Sequence, residues 1–290
     1  MNSNILLVVP SLSKLELPPL FTAMQVGCAG SKEHFAGMLH DDDGINISKD
    51  NPYYCELTAQ YWVWKNTDSN FVGFMHHRRF FMLTKENIRD TLNPNFRLRP
   101  YYIYDRPDLK TLDRIGLNTA SISSVASSYD IVAPAAEKIY ETVRHQYNRC
   151  EKPVVDEMKM ICDIINEYYP EYRSAAESYL DGREAYFCNM FMMRRDVFDE
   201  YCTWLFDILK RMDEKRIANQ RRLRDNGKIG ERLFGIYFMK KTQDKVLRLA
   251  QTPRAHFSDI EGATKNKSFS RLLYAVAPPG SFRRAILRRL

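Results

Sequence analysis

Two histidines and two arginines stand together directly after the apolar run 71–75: His76, His77, Arg78 and Arg79. A guanidinium group binds phosphate oxygens through paired hydrogen bonds. The charge that develops on a leaving diphosphate must be neutralised by cations or by a metal ion. Adjacent side chains of a strand point in opposite directions, so we expect one residue of each pair to face a site. The alternative is a solvated basic strand end.

Three consecutive aspartates, Asp41, Asp42 and Asp43, could hold a divalent cation, since Mg²⁺ prefers hard oxygen ligands. Many sugar-nucleotide enzymes hold such an ion against the pyrophosphate with an Asp-x-Asp element. The residues that follow, 44–46, are typical of a polar turn in which aspartates bond their own backbone. The sequence therefore assigns no cofactor with certainty. Mn²⁺ or Mg²⁺ on Asp41 and Asp43 remains the less favoured interpretation.

Two glutamates could act on a hydroxyl group. Glu56 lies near the start of a predicted helix among aromatic residues, where it could bond a sugar hydroxyl or complement the helix dipole. Glu231 follows the basic segment 215–228 and precedes the apolar helical residues 233–239. Glu231 could serve as a general base, or it could stabilise the first turn of that helix.

The positions of these residues depend on elements that alternate between strand and helix. Short apolar runs predict buried strands at 4–9, 71–75, 130–134 and 185–193. Apolar residues at helical spacing predict helices over 51–66, with Asn51 as N-cap and Pro52 in the first turn, over 153–169, and after an N-cap at Asp196. We expect an α/β fold with a largely parallel or mixed sheet, in which ligands bind beyond the carboxyl ends of the strands.

Composition narrows the class of protein. The 290 residues are 44% hydrophobic and 27% charged, which is typical of a globular chain. The six cysteines include no Cys-x-x-Cys pair, and no histidine cluster completes a zinc-ligand spacing, so they are interpreted as buried free thiols. The first apolar run is too short for a signal peptide, and no stretch approaches the roughly 20 apolar residues of a membrane span. We therefore expect a cytoplasmic protein.

The net charge of +7 includes four arginines within the last ten residues. Together with bulky apolar neighbours, these arginines resemble an anchor at an anionic membrane surface, and the alternative is a disordered basic tail. No helix-turn-helix, zinc-finger or stacking-platform pattern is present, so a nucleic-acid partner is not expected.

Four stretches of the sequence together resemble one family. They are 43–48 with 51–58, 61–66, 72–80, and 189–191 with 201–206. The chain resembles an uncharacterised-domain family of capsular and exopolysaccharide glycosyltransferases, which includes galactofuranosyltransferase domains of O-antigen synthesis. The resemblance covers roughly residues 20–240, with the blocks in the family's order.

The resemblance implies a GT-A-like domain over 1–265, with a mostly parallel central sheet, followed by a helical, basic amphipathic tail over 266–290. It implies transfer of a hexose, such as galactose in pyranose or furanose form, from a UDP-sugar to a lipid-linked or oligosaccharide acceptor. A cationic grip on the diphosphate is expected in the position where other GT-A enzymes carry Asp-x-Asp. The rival hypothesis is a non-catalytic component of a polysaccharide assembly complex that binds glycan or membrane.

We assign the candidate site residues to three roles. The candidates for contact with the donor are Asp43, Asn46, Ser48, Asn51, Tyr54, His76, Arg78 and Arg79. The candidates on the acceptor side are Asn189 and Arg232, and the candidate catalytic carboxylates are Glu231 and Glu56.

Overall fold

The computed structural model describes residues 4–91, 98–104, 107–216 and 221–257, and Val276 beyond them. The strands are β1 Ile5–Ser11, β2 Thr22–Gln25, β3 Leu39–His40, β4 Phe71–Phe74, β5 Arg79–Phe81, β6 Arg89–Asp90, β7 Tyr101–Tyr104, β8 Ile131–Pro134, β9 Glu137–Lys138, β10 Glu184–Ala185, β11 Phe191–Arg194, β12 Leu249–Thr252 and β13 Arg254–Phe257. The helices are α1 Asn51–Tyr54, α2 Leu57–Asn66, α3 Leu109–Arg114, α4 Thr119–Ser128, α5 Val143–Glu151, α6 Glu157–Tyr168, α7 Arg173–Leu180, α8 Arg195–Lys215 and α9 Asp225–Asp244.

Eight strands form the central sheet in the order β3-β2-β1-β4-β11-β8-β12-β6. β3, β2, β1 and β4 are mutually parallel, and β8 is parallel to β12. β11 lies between β4 and β8 and is antiparallel to both, so β4 and β8 run in the same direction. β6 is antiparallel at the edge. The predicted mixed, mostly parallel central sheet is confirmed.

Helices cover both faces of this sheet because its central strands are apolar on both sides. In β1, Val8 packs into one apolar cluster, while Leu7 and Val9 pack into the other. Helices α2 and α5–α9 contribute buried side chains to the first cluster, and α3 and α4 contribute to the second. Each strand of a sheet that is buried on both faces is a continuous apolar run in the sequence, and these runs predicted the strands.

Two smaller sheets flank the central one. β13 lies between β5, to which it is antiparallel, and β7, to which it is parallel. β9 and β10 form an antiparallel pair. Residues 83–118, which the sequence left unassigned, contain β6, β7 and α3 within their described part.

The predicted strand over 185–193 is wrong in its middle. The chain forms β10 in the two-stranded sheet, passes through an irregular segment at 186–190, and then forms β11 in the central sheet. Cys188 and Asn189 have φ values of 81° and 47°, which no strand accommodates. The apolar composition of the run predicted burial correctly, but it did not reveal the turn with positive φ at Cys188 and Asn189.

The predicted helix over 51–66 is two helices. The helical conformation is interrupted at Cys55, whose φ is 51°, and α2 begins at Leu57. Asn51 is not the N-cap: Asp50 holds that position, and the Asn51 side chain donates to the Cys55 carbonyl oxygen at 2.8 Å and to the Thr58 hydroxyl at 3.1 Å.

Three other helix starts differ from prediction. α6 begins at Glu157 rather than at Pro153, with Asp156 as its N-cap. α8 begins at Arg195, and Asp196 lies in its first turn rather than at its cap. α9 begins at Asp225, so Glu231 lies in its second turn and not in the first. The predicted apolar stripe of α8 is confirmed, because its members are buried: Val197, Tyr201, Trp204, Leu205 and Ile208.

The predicted boundary at residue 265 and, apart from Val276, the predicted basic tail lie outside the described residues. In the part of the chain that the structure describes, no helix combines the length and the apolar character needed to cross a membrane.

Candidate active site

The candidate site lies at one edge of the central sheet, where the carboxyl ends of β4, β8 and β12 meet. His76 follows β4, Glu137 follows β8 and Arg254 follows β12. β11 runs the other way, so the residues that precede it, Cys188 and Asn189, lie at the same edge. This is the edge at which open α/β sheets bind ligands.

The small sheet brings a set of basic side chains to one face. β5 and β13 pair so that Arg79 lies directly opposite His256. Residues that pair across antiparallel strands share a face, and residues two apart on a strand also share one. Arg79, His256 and Arg254 therefore point to the same side of this sheet.

Two arginines on that face converge on a buried thiol. Arg79 Nη1 lies 2.8 Å from Cys188 Sγ, and Arg254 Nη1 lies 3.3 Å from the same atom. Arg254 is 1% exposed and also forms an ion pair with Glu137. Among the described residues, no carboxylate forms an ion pair with Arg79. The Arg79 guanidinium is therefore a charge that an anionic ligand could neutralise.

Helix α9 approaches this edge closely through two glycines. A Cβ on Gly227 would lie 3.0 Å from Cys55 Cβ, and one on Gly230 would lie 2.9 Å from Leu57 Cδ1 and 3.1 Å from Asn189 Oδ1. Without side chains at these positions, the backbone of α9 packs against the break between α1 and α2. The close approach brings Glu56 and Glu231 to Cys188 and Asn189, the two residues of the turn before β11.

Hydrogen bonds connect the two glutamates to that pair. Asn189 Nδ2 donates to Glu56 Oε1 and to the Gly227 carbonyl oxygen, both at 2.8 Å. The Cys188 amide donates to Glu231 Oε1 at 2.5 Å. Gln60 donates to the Asn189 carbonyl oxygen at 3.0 Å. Residues at the start of α2 and in α9 thus both form hydrogen bonds with the turn before β11.

Strained backbone concentrates at this point. Four non-glycine residues in the cluster or next to it have positive φ: Cys188 and Asn189 within it, and Cys55 and Arg224 beside Glu56. Non-glycine residues in this region cost on the order of 1 kcal/mol or more, and they accumulate where the surrounding structure holds them for a function. Lys152 and Lys245 also have positive φ, but they are ordinary left-handed C-caps.

The histidines of the cluster stay neutral. Burial lowers the pKa of His256 to about 2, and the nearby charges of Arg254 and Arg79 add to the effect. Burial, then Arg79, lowers the pKa of His76 well below its usual value. The positive charge of the site therefore comes from its arginines, and the imidazoles act as neutral hydrogen-bonding groups.

Glu56 is the carboxylate whose affinity for a proton is raised. Burial raises its pKa and outweighs the hydrogen bond from Asn189, and the charge of Glu231 raises it further. Burial also raises the pKa of the Cys188 thiol, although Arg79 and Arg254 oppose that shift. A carboxylate with a raised pKa, bonded to a strained turn at the carboxyl edge of the sheet, has the character of a general base.

Three buried polar atoms of the cluster have no hydrogen-bond partner among the described residues. They are Asn189 Oδ1, Arg254 Nε and His256 Nε2. A buried polar group without a partner costs roughly 1–3 kcal/mol, so native structures contain few of them. Arg254 and His256 lie on the same face as Arg79, where a polar ligand could bond these atoms, whereas Asn189 Oδ1 faces Gly230 of α9.

The structure separates the predicted arginine pair. Arg79 points inward to Cys188, whereas Arg78 is exposed at the turn between β4 and β5. Arg232 is buried, and it donates to Glu231 Oε2 at 2.6 Å and to Gln146 Oε1 at 2.9 Å. Of the predicted residues, Glu56, His76, Arg79, Asn189, Glu231 and Arg232 come together at this site.

The predicted donor loop follows β3. Asp41 is fully buried and accepts one hydrogen bond from each of four donors: the amides of Gly27 and Cys28 and the hydroxyls of Ser48 and Thr58. These bonds favour a structural role for Asp41 over metal binding, but they join other segments of the chain and are not the bonds to its own turn that the sequence suggested.

The other loop candidates also have partners within the protein. Asn46 Nδ2 donates to the carbonyl oxygens of Asp42 and Gly44, and the Tyr54 hydroxyl donates to Asp213 at 2.9 Å. Asp43 is exposed, and its carbonyl oxygen accepts from the Trp62 indole at 2.8 Å. The donor contacts that we assigned to Asp43, Asn46, Ser48, Asn51 and Tyr54 remain predictions.

Four members of the cluster were missed by sequence reasoning: Glu137, Cys188, Arg254 and His256. Arg254 and His256 follow a short stretch at 246–250 that is apolar apart from Arg248, and the rule that ligands bind at strand ends could have identified them. Cys188 carried no such signal, because it stood inside a run that reads as a strand.

The fold and the cluster define an α/β protein with a cationic and carboxylate-lined site at the carboxyl edge of its sheet. A family profile described as a domain of unknown function, DUF4422, matches residues 5–243, and the chain belongs to that family.

One solved structure is similar to the chain, the apo structure of the bifunctional glycosyltransferase WbbM. The two are 30% identical with a TM-score of 0.76, and the match covers 88% of this chain. The chain spans about half (46%) of the length of that structure. No curated protein sequence matches the chain.

Proposed function

We propose that the protein is a glycosyltransferase that moves a hexose from a UDP-sugar to a growing capsular, exopolysaccharide or O-antigen glycan. The observation that carries the proposal is the convergence of Arg79 and Arg254 with Glu56 and Glu231 around Cys188 and Asn189. The similarity to a bifunctional glycosyltransferase over 88% of the chain supports the same class of reaction.

The two arginines suit the leaving group. Breaking the bond between the sugar and UDP leaves negative charge on the diphosphate, and guanidinium groups already fixed in place stabilise that charge without rearrangement. Arg79 has no carboxylate partner among the described residues, whereas Arg254 is held by Glu137. In the proposed reaction Arg79 binds the diphosphate directly. Arg254, which contacts the same Cys188 thiol, stabilises the same negative charge electrostatically without touching it.

The two carboxylates suit different roles. Glu231 receives a hydrogen bond on each oxygen, from the Cys188 amide and from Arg232, so we assign it to positioning the turn before β11. Glu56 has the raised pKa, and we assign it to the acceptor hydroxyl or to a hydroxyl of the donor sugar. As a base, Glu56 would take the hydroxyl proton as the acceptor oxygen bonds to the sugar.

Turnover of nucleotide sugars tests the proposal. The purified full-length chain is incubated with a panel of UDP-hexoses, with and without added Mn²⁺, and release of UDP is measured. We expect hydrolysis or transfer with at least one donor. A protein that neither binds nor consumes any nucleotide sugar would instead support the non-catalytic role in glycan or membrane binding.

A matched pair of variants tests the assignment of the diphosphate. We expect Arg79→Ala to weaken UDP binding by about 10- to 100-fold, because a hydrogen bond to a charged group contributes roughly 1.5–3 kcal/mol. Arg78→Ala removes the neighbouring exposed arginine and should leave affinity within about twofold. Calorimetric titration with UDP gives both values. Unchanged affinity in a folded Arg79→Ala protein contradicts the assignment.

A further inference from the structure

A second cluster of potential ligands lies at the opposite end of the same sheet edge. Cys28 follows β2, Asp42 follows β3, and His34 lies in the connection between them. One potential ligand atom from each of these residues lies within 4.8 Å of the other two, and His34 Nε2 is 3.1 Å from Asp42 Oδ2. β1 separates β2 from β4, so this cluster is about 10 Å or more from the candidate active site at ordinary strand spacing.

The backbone around the cluster is held in place by Asp41. Its carboxylate accepts from the Gly27 and Cys28 amides at 2.8 and 3.0 Å, and from the Ser48 and Thr58 hydroxyls at 2.6 Å each. Asp41 thereby ties the segment that carries Cys28 to the segment that carries Asp42. The ligand positions are set by a buried network, and they do not depend on a surface loop alone.

The side chains themselves are incompletely bonded. Asp42 Oδ1 is buried and has no hydrogen-bond partner among the described residues. The Cys28 thiol is buried, and its hydrogen bond to the Gln25 carbonyl oxygen, at 3.3 Å, is a weak one because a thiol is a weak donor. His34 is 48% exposed, so one side of the cluster is open to solvent. An ion could enter from that side and satisfy the unpartnered carboxylate oxygen.

We propose that Cys28, His34 and Asp42 form a transition-metal site, and that Zn²⁺ is the ion it binds. A thiolate, an imidazole and a carboxylate are the ligands that Zn²⁺ takes, and three protein ligands leave a fourth position for water or a substrate oxygen. Mg²⁺ and Ca²⁺ prefer sites made of oxygen atoms only. Binding releases the thiol proton of Cys28, and the two anionic ligands balance the charge of the ion.

The required adjustment is small. Metal–ligand bonds of about 2.0–2.3 Å in a tetrahedral site put ligand atoms roughly 3.3–3.8 Å apart. The imidazole and carboxylate atoms lie 3.1 Å apart, about 0.2 Å closer than that spacing, and a separation at the upper bound of 4.8 Å would have to shorten by about 1 Å. Binding therefore requires side-chain movements of about 1 Å or less, and the side chain of His34 is half exposed.

Titration with Co²⁺ as a spectroscopic probe tests the site. The full-length protein is freed of metal by chelation and titrated while the absorption band of thiolate-to-Co²⁺ charge transfer is recorded. We expect saturation at one Co²⁺ per chain and loss of the band when one equivalent of Zn²⁺ is added. Absence of a stoichiometric thiolate band in the folded protein overturns the proposal.

Variants identify the ligands. Cys28→Ser should abolish the band, and His34→Ala should weaken Co²⁺ binding by at least about tenfold, the minimum expected when even an indirect partner of a metal ligand is lost. Cys150→Ser removes a half-buried thiol elsewhere and should leave the titration unchanged.

Because Cys28 is buried, circular dichroism must show that the Cys28→Ser protein is folded. If this protein is unfolded, His34→Ala alone tests whether the ion binds at the proposed site. Zn²⁺ should also raise the melting temperature of the wild type and fail to do so in His34→Ala. A band or a thermal shift that persists in folded His34→Ala shows that the ion binds elsewhere and overturns the assignment.

Discussion

At the scale of single residues, Asn189 and Glu231 both hold the strained turn before β11 in place beside Glu56. Asn189 bonds Glu56 through its side chain, while Glu231 bonds the amide of the preceding residue. Asparagine tolerates positive φ better than most residues, but the φ of 81° at Cys188 requires an external constraint. The hydrogen bond from its amide to Glu231 supplies that constraint.

The raised pKa of Glu56 predicts a pH dependence of the transfer reaction. A base must be deprotonated to act, so the wild-type rate should fall as the pH falls through the raised pKa of Glu56. Glu56→Gln should lower kcat by about 100-fold or more and should remove this acidic limb. Steady-state rates between pH 5 and 9, measured with the donor identified in the UDP-sugar panel, give the profile.

Glu231→Gln serves as the comparison for this prediction. Its amide can still accept from the Cys188 amide, so we expect a smaller loss of rate and a retained acidic limb. If the limb disappears in Glu231→Gln and persists in Glu56→Gln, the two carboxylates have the opposite roles.

At the scale of elements, the close packing of α9 against the break between α1 and α2 sets the geometry of the site. Gly230→Ala places a methyl group 2.9 Å from Leu57 Cδ1 and 3.1 Å from Asn189 Oδ1. We expect the free energy of unfolding to fall by about 1–3 kcal/mol, because overpacking forces neighbours apart. Turnover should fall as well, since Asn189 holds Glu56. Urea denaturation and UDP release measure the two effects.

Gly30→Ala is the control for this substitution. A Cβ at Gly30 would meet no atom within 4 Å, and the φ of Gly30 does not lie in the left-handed region. Stability and turnover should therefore stay near the wild-type values. Equal effects of the two substitutions would show that the packing of α9 does not control the site.

Asp130 joins three neighbouring strands of the sheet. Its carboxylate forms ion pairs with Arg194 of β11 and with Arg248 before β12, and it also accepts from the Arg248 amide at 2.8 Å. Burial raises the pKa of Asp130, but the bonds from Arg248 and the charge of Arg194 outweigh burial and lower it. The ionised form therefore stabilises the folded state.

We expect Asp130→Asn to lower the free energy of unfolding by about 1–2 kcal/mol at pH 7, since it removes charged hydrogen bonds to two arginines that are half exposed and remain solvated. The native-state pKa is depressed, so this stabilisation is present above the unfolded-state pKa of about 3.9 and is lost as pH falls below it. Urea denaturation of both proteins at pH 7 and at pH 3 measures the difference, which should shrink at the lower pH. Exposed Asp68→Asn should have little effect at either pH.

At the scale of the whole molecule, the positive charge is unevenly distributed along the sequence. Four of the 43 basic residues are arginines within the final ten residues, in a chain of net charge +7. A growing glycan on a lipid carrier would be presented at a membrane, where a basic apolar segment has affinity for anionic headgroups.

We therefore expect the full-length protein to sediment with vesicles that contain anionic lipid, and deletion of residues 279–290 to reduce the bound fraction severalfold. Binding should weaken as salt is added, because surface charges are screened. Neutral vesicles are the control. If the full-length protein never binds anionic vesicles, or if the shortened protein binds equally well, the anchor hypothesis is wrong.

The sequence alone determined the class of fold and the position of one part of the site. Continuous apolar runs specified β1, β4 and β8, because a strand buried on both faces must be apolar throughout. The charges after β4 followed from the rule that ligands bind at strand ends. Arg79 was therefore within reach of prediction, whereas Glu56 was selected only as a carboxylate near the start of a predicted helix.

Which polar and charged side chains come into contact was decided only by the tertiary structure. Arg79 and Arg254 are far apart in sequence and converge because β5 pairs with β13. Cys28, His34 and Asp42 match no zinc-ligand spacing, because it is the parallel pairing of β2 and β3 that brings their loops together. The turn at Cys188 and Asn189 reads as a strand because its composition is apolar. Its conformation depends on Glu231, which lies about 40 residues further along the chain. Local composition determines what is buried, whereas the contacts that constrain a strained backbone come from distant parts of the chain.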